Sequence, residues 1–169
     1  MRTSIAALAL AACVLSLPDR AEAARPVGLG VAAGIALPTS SNLGDIDPAL
    51  SWGFFVDIPI ISTFTITPST ILYRIDPKNV TGAAATDVSL NFKFIIPLGP
   101  FEPFAGITAG ITSTSDLQPH VGGVLGASFN IVSNLDIYAS VNYRLTIDDA
   151  GNVSTWHIFA GPLFRFGQG

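Results

Sequence analysis

Apolar and polar residues alternate without a break from residue 135 to residue 145. One set is Leu135, Ile137, Ala139, Val141, Tyr143 and Leu145, and the other is Asp136, Tyr138, Ser140, Asn142 and Arg144. Successive side chains of a strand point to opposite faces, so this pattern predicts a strand with one apolar face. Strands of soluble proteins usually have about 5–6 residues. A strand that crosses a membrane needs ~9–11. The length therefore favours a membrane strand with its apolar face toward lipid and its polar face toward a barrel interior.

Seven further segments have strand character, and the connectors between the strands are alternately short and long. The eight predicted strands are Val27–Leu37, Leu50–Ile58, Thr63–Ile75, Thr86–Ile96, Phe101–Thr112, His120–Ile131, Leu135–Leu145 and Ser154–Phe166. The long connectors are residues 38–49, 76–85, 113–119 and 146–153. An even number of strands with this alternation predicts an all-β fold, an eight-stranded antiparallel up-and-down transmembrane β-barrel with short periplasmic turns and longer extracellular loops. Because Pro68 has no N–H to donate, we expect a bulge or an irregularity there in the third strand.

The first 23 residues have the features of a secretion signal peptide. Arg2 supplies a positive start, an apolar stretch follows, and Ala21-Glu22-Ala23 fits a cleavage site. Residues 24–169 are then the outer membrane β-barrel domain. The segment Leu10 to Cys13 also resembles a lipoprotein processing box, which leaves lipidation of Cys13 as an alternative.

The composition supports a lipid-facing surface. Only 12% of the chain is charged, whereas a soluble surface carries about 25–35% charged residues. The mean hydropathy is +0.53, yet no apolar run beyond the signal segment reaches the ~18 residues of a membrane helix. From residue 24 onward, six basic and ten acidic residues give a net charge of −4, without basic clusters. This balance argues against nucleic acid as a partner.

Charged residues of both signs fall on the polar faces of the predicted strands. They are Asp57, Asp87, Lys93, Asp136, Arg144 and Arg165. The interior of an eight-stranded barrel is just wide enough for side chains to fill it. Unpaired charge there would be costly, so we expect these six residues to form a self-neutralising polar network. The alternative is a narrow path for ions through the same residues.

Signals for chemistry are weak. His157 lies near Ser154 and Thr155, but no spacing marks a nucleophile, and no enzyme is predicted. The loop carboxylates, such as Asp45, Asp47, Asp148 and Asp149, are more simply turn formers than metal ligands. We therefore expect no catalytic residue, metal site or cofactor. Aromatic residues near strand ends are candidates for interfacial girdles, namely Trp52, Tyr73, Phe101, Tyr143, Trp156 and Phe166.

Two segments carry a resemblance to a known group of proteins. They are Asn91-Phe92-Lys93-Phe94-Ile95-Ile96-Pro97 with Pro103 to Gly110, and the ending Gly161-Pro162-Leu163-Phe164-Arg165-Phe166. Together with the strand pattern and the signal, they resemble the small eight-stranded outer membrane barrels of Gram-negative bacteria, the group of the OmpA transmembrane domain and the opacity-type surface proteins. The resemblance implies outer membrane lipid and the barrel-assembly machinery as partners, the latter through the terminal aromatic residue. Here Phe166 is followed by Gly167-Gln168-Gly169, which departs from that pattern.

These observations favour a non-enzymatic outer membrane barrel, structural or exposed at the surface, whose loops contact the environment or an extracellular ligand. Three alternatives stay open. They are a narrow channel for ions or small solutes, an outer membrane enzyme that modifies lipid, and a soluble secreted ligand-binding barrel. The last requires apolar residues inside and polar residues outside.

Overall fold

The structure of the protein is a computed structural model. It describes residues 25–39, 47–75, 83–114, 116–147 and 152–166. The predicted signal peptide and Cys13 lie outside these ranges, as do most residues of the predicted loops 38–49 and 76–85. In the described part of the chain, no helix is long and apolar enough to cross a membrane.

Eight strands form one closed antiparallel barrel, in which each strand pairs with its sequence neighbours and β1 also pairs with β8. The strands are β1 (Val27–Thr39), β2 (Ala49–Ile61), β3 (Phe64–Ile75), β4 (Ala83–Ile95), β5 (Phe101–Ser113), β6 (Leu117–Val132), β7 (Leu135–Thr146) and β8 (Val153–Phe166). The predicted fold is confirmed. We call the end with the β2–β3, β4–β5 and β6–β7 connections the turn end, and the opposite end the loop end.

Most strand bounds differ from the predicted ones by one to three residues, and two differences change the picture. The connector predicted at 113–119 is only residues 114–116, because β6 begins at Leu117. An irregularity does occur at Pro68, where the β2–β3 pairing is interrupted between Ser69 and Ile66, but it is not a bulge. The β2–β3 register is the same on both sides of it, from Phe55 opposite Ser69 to Ile58 opposite Ile66. A missing N–H removes one bond from a ladder without inserting a residue, so the register does not shift. Register shifts occur instead at Pro59/Ile61 and at Asn130/Val132, both at the turn end.

The two faces of the barrel are the reverse of those of a soluble barrel. Buried inner positions include Asp57, Lys93 and Arg144, alongside inner aromatic side chains. Outer positions expose large apolar side chains, such as Ile107 and Leu125. This arrangement contradicts the soluble ligand-binding alternative, because such a barrel would place its apolar residues inside and its polar residues outside.

Inner glycines allow neighbouring strands to approach closely in this narrow barrel. A Cβ atom on Gly122 would lie 1.9 Å from the carbonyl oxygen of Tyr143, and one on Gly161 would lie 2.0 Å from that of Val31. Such contacts are with backbone atoms, which a small rotation of a side chain cannot relieve. Gly123, the next residue on β6, points outward. A Cβ atom on Gly123 would lie no nearer than 3.5 Å to any atom of another strand.

The substitution Gly122→Ala should therefore destabilise the barrel by about 1–3 kcal/mol through overpacking. The matched control Gly123→Ala should change stability by no more than about 0.5 kcal/mol. Urea unfolding in detergent micelles, followed by the folded band on unheated gels, measures both. Equal midpoints for the two variants would show that the strands do not approach each other at Gly122 as described.

Candidate functional site in the barrel interior

All six charged residues predicted for the interior lie on the inner face, and the structure brings them together as three separate pairs. The pairs are Lys93 with Asp57 at 2.5 Å, Arg144 with Asp87 at 2.6 Å, and Arg165 with Asp136 at 2.6 Å, each distance joining a side-chain nitrogen to a carboxylate oxygen. Each cation thus has its own carboxylate. Charge-assisted contacts of this kind are among the strongest hydrogen bonds in proteins.

The Lys93–Asp57 pair lies in the turn-end half of the lumen and has further partners. The Thr67 hydroxyl donates to the same carboxylate oxygen of Asp57 at 2.7 Å. Three rings surround the Lys93 ammonium, with centroids 4.9 to 5.7 Å from Nζ; they belong to Phe55, Phe104 and Tyr138. Aromatic faces attract a cation at such distances. The lysine is held by a carboxylate and by an aromatic enclosure that fills the lumen around it.

The Arg144–Asp87 pair lies in the loop-end half. Tyr73 on β3 donates a hydrogen bond from its hydroxyl to Asp87 at 3.4 Å, and His157 lies 3.6 Å from the same carboxylate group. The ring of His157 packs edge-on against Tyr73 and stacks with Phe159. Residues from β3, β4, β7 and β8 therefore meet around the Asp87 carboxylate inside the lumen.

A third cluster lies at the turn end and includes two residues that the sequence did not indicate. Arg165 contacts Glu102 at 3.4 Å in addition to Asp136, and Arg25 also contacts Glu102. A cavity of about 340 Å³ lies at this end among these side chains and Asn130. Glu102 lies two residues before Phe104 on β5, so strand alternation predicts that both side chains point inward. Arg25 precedes β1, and no strand pattern applies to it.

Between the Lys93 and Arg144 pairs the lumen is nearly full. The space lined by these two cations, Asn91 and Asn142 amounts to about 20 Å³. A cavity of that size holds about one water molecule.

The structure does not bring His157 and Ser154 together as a catalytic pair. His157 is fully buried inside the barrel. Ser154 lies on the other face of β8, where its hydroxyl contacts that of Tyr143 at 3.1 Å. A different serine and histidine do meet: Ser89 Oγ lies 3.0 Å from Nε2 of His120. The other nitrogen of His120 contacts the Thr112 hydroxyl at 3.0 Å, not a carboxylate.

The Ser89–His120 contact has no access for a substrate, since both side chains are buried in the lumen. A nucleophile that reaches a substrate also needs an adjacent base, held in place by a third group, that can take its proton. The contact serves to satisfy buried polar groups. Among the described residues, no three histidine, cysteine or acidic side chains come together in a way that could hold a metal ion.

Of the predicted girdle aromatics, Tyr73 is not on the outer surface. It is buried inside the barrel, because inward positions on β3 are Thr65, Thr67, Ser69, Ile71 and Tyr73. The small polar residues of this set mark the inner face, and Tyr73 shares their parity. Trp52, Phe101, Trp156 and Phe166 are exposed on the outer face near strand ends. Tyr143 is partly exposed there and packs against Trp156 with ring centroids 4.8 Å apart.

No protein-family model matches the chain, and no curated protein matches it in sequence. Several solved structures match in fold. Neisserial surface protein A is 18% identical with a TM-score of 0.75, over 86% of this chain and 100% of that one. The outer membrane protein OprG from Pseudomonas aeruginosa is 12% identical with a TM-score of 0.56, over 86% and 97%. The N-terminal β-barrel domain of Pseudomonas aeruginosa OprF is 14% identical with a TM-score of 0.51, over 85% and 99%.

Identities this low establish similarity of fold alone. Each of these matches covers the whole barrel and nearly the whole of the other chain. The protein has the fold of the small eight-stranded outer membrane β-barrels.

Proposed function

We propose that the protein is a non-enzymatic outer membrane barrel that anchors its loop end at the cell surface and does not conduct ions at rest. The single observation that carries this proposal is the set of buried ion pairs inside the lumen. The exposed apolar outer face supports a location in lipid, since water would not solvate it favourably.

The two central ion pairs join strands that are not neighbours in the barrel. Asp57 on β2 pairs with Lys93 on β4, and Asp87 on β4 pairs with Arg144 on β7. The Asp87–Arg144 contact therefore crosses the lumen, because β4 and β7 are three strands apart, and the Asp57–Lys93 contact spans the inner face of β3. Opening a path for an ion would require these pairs to separate in a narrow space. Breaking a buried pair and leaving a lone charge costs about 3–5 kcal/mol.

Two features support the absence of enzymatic activity. The Ser89–His120 contact is buried in the lumen, out of reach of outer membrane lipids. On the outer face, the hydroxyls of Ser154 and Tyr143 bond to each other and have no adjacent histidine on that face of β8. A lipid-modifying enzyme would need its reacting groups where lipid is.

The loop end is the part available for recognition. Asp47 and Asp116 are exposed there, in agreement with the acidic predicted loops, which hold Lys78 as their single basic residue. An extracellular ligand that contacts this end would meet carboxylates. At the other end Phe166 is exposed on the outer face of β8, where the barrel-assembly machinery could contact it.

The narrow channel is the second candidate, and the polar lining of the lumen is the observation that favours it. It predicts a steady conductance that changes when Lys93 or Arg144 is neutralised. The closed barrel predicts none.

Unheated protein from the outer membrane fraction should migrate differently from heated protein, as a detergent-resistant barrel does. The same folded protein in planar lipid bilayers should give no steady current. A soluble periplasmic protein without a heat-dependent shift would contradict the membrane location. Current from folded protein that responds to Lys93→Met would favour the channel.

The substitution Lys93→Met should lower the free energy of unfolding by about 3–5 kcal/mol, because Asp57 would keep a buried charge without its partner. The double variant Lys93→Met with Asp57→Asn should regain most of this loss, since no lone charge remains. Urea unfolding midpoints measure the effect. Asp47→Asn at the exposed loop end is the control and should change stability by no more than about 0.5 kcal/mol. A single variant as stable as the native protein would show that the pair does not form.

A further inference from the structure

The turn end carries a ring of exposed aliphatic side chains, which we call the turn collar. The turn collar consists of Ile60, Ile61, Ile96, Leu98, Ile131 and Val132, which are 48%, 56%, 54%, 57%, 51% and 51% exposed. They lie at the β2–β3, β4–β5 and β6–β7 connections, which together go most of the way around the barrel. Turns in contact with water are normally rich in polar residues. The two-residue turns Ser62-Thr63 and Ser133-Asn134 follow this rule, but aliphatic collar residues precede both, and the β4–β5 turn itself contains Ile96 and Leu98.

The register shifts at the turn end place adjacent aliphatic residues on the surface together. In a regular strand, one residue of each adjacent pair would point into the lumen. The shift at Pro59/Ile61 leaves both Ile60 and Ile61 about half exposed, and the shift at Asn130/Val132 does the same for Ile131 and Val132. Bulges often re-aim side chains in this way. Here they widen the apolar surface at two of the three turns.

Charge at the turn end is confined to the mouth of the barrel. The described charged residues of this end are Arg25, Glu102, Asp136 and Arg165, whose side chains are only 13%, 18%, 2% and 9% exposed and bind one another across the lumen. None of them lies on the outer rim. The loop end differs, because Asp47, Arg74 and Asp116 are exposed there. Among the described residues, the outer surface of the barrel is thus apolar down to the turn collar, and exposed charge lies at the opposite end.

We propose that the turn collar is seated in membrane lipid, so that the apolar layer of the periplasmic leaflet reaches the aliphatic residues beside the turns, and the polar turn tips and the charged mouth lie at the level of the headgroups. This inference rests on the proposed membrane location of the barrel. The collar is continuous with the belt of exposed apolar side chains above it, which includes Phe94 and Phe129.

Lipid fits the turn collar better than a protein partner does. A standard protein interface covers about 800 Å² on one side of a molecule. The collar residues instead lie on three turns spread around the barrel, and Ile60, Ile96 and Ile131 continue the outward parity of their strands. Only a medium that surrounds the barrel would cover all three turns from the side.

Cysteine labelling tests the depth of the turn collar, because Cys13 is the one cysteine in the sequence. In a Cys13→Ser background, Leu98→Cys would carry a small environment-sensitive fluorophore on the folded full-length protein in phosphatidylcholine vesicles. Ile107→Cys, in the middle of the belt, is the matched lipid control, and Asn152→Cys at the loop end is the water control. Val132→Cys repeats the test at a second turn. Spin-labelled lipid and aqueous iodide serve as the two quenchers.

The proposal predicts that the labels at Leu98 and Val132 lose intensity with spin-labelled lipid, resist iodide and emit at shorter wavelength than the label at Asn152. Quenching of both turn labels by iodide, with the label at Ile107 still quenched by lipid, would overturn the proposal and leave the membrane barrel standing. Protection of the turn labels from both quenchers would also overturn it and would indicate cover by a second copy. Quenching of the Ile107 label by iodide instead of lipid would contradict the membrane location itself.

Discussion

Closure of eight strands into one barrel is the constraint on which the rest of the structure depends. Closure sends every second side chain of every strand into the same narrow lumen. Any charge among them is taken out of water and needs a partner close by. The chain meets this requirement with one carboxylate for each of Lys93, Arg144 and Arg165. The other half of the side chains is left on the outside, where apolar residues predominate. The paired charges inside the barrel and the apolar outer surface thus both follow from the alternation of side chains along each strand.

Sequence alternation predicts a side chain's face well where the strand is regular and its polar residues are clear. On β4 and β7 it places Asp87, Lys93 and Arg144 on the inside, as the structure does. The expectation for Tyr73 was wrong because it was based on an aromatic ring near a strand end, whereas alternation with Thr67 and Ser69 places this side chain inside. The pairing itself could not be derived, because it depends on which strands face each other across the barrel. Arg25 was missed for a related reason, since it lies before β1 and reaches Glu102 on β5.

The two ends of the barrel have different surfaces, and this difference bears on what the protein can do. At the loop end, exposed charged residues make the surface suitable for contact with water-borne partners. At the turn end, ion pairs line the mouth and aliphatic residues flank the turns. A barrel with a filled lumen and one polar end is suited to anchoring and presentation more than to transport.

The central claim is that the apolar face meets lipid while the charged face is enclosed, and the two tryptophans of the native protein test it most directly. Trp52 and Trp156 are both on the outer face. In vesicles of brominated phospholipid, the account predicts blue-shifted tryptophan emission that bromine quenches strongly and that aqueous acrylamide quenches weakly. Emission typical of tryptophan in water, unaffected by bromine and quenched by acrylamide in the folded protein, would contradict the account.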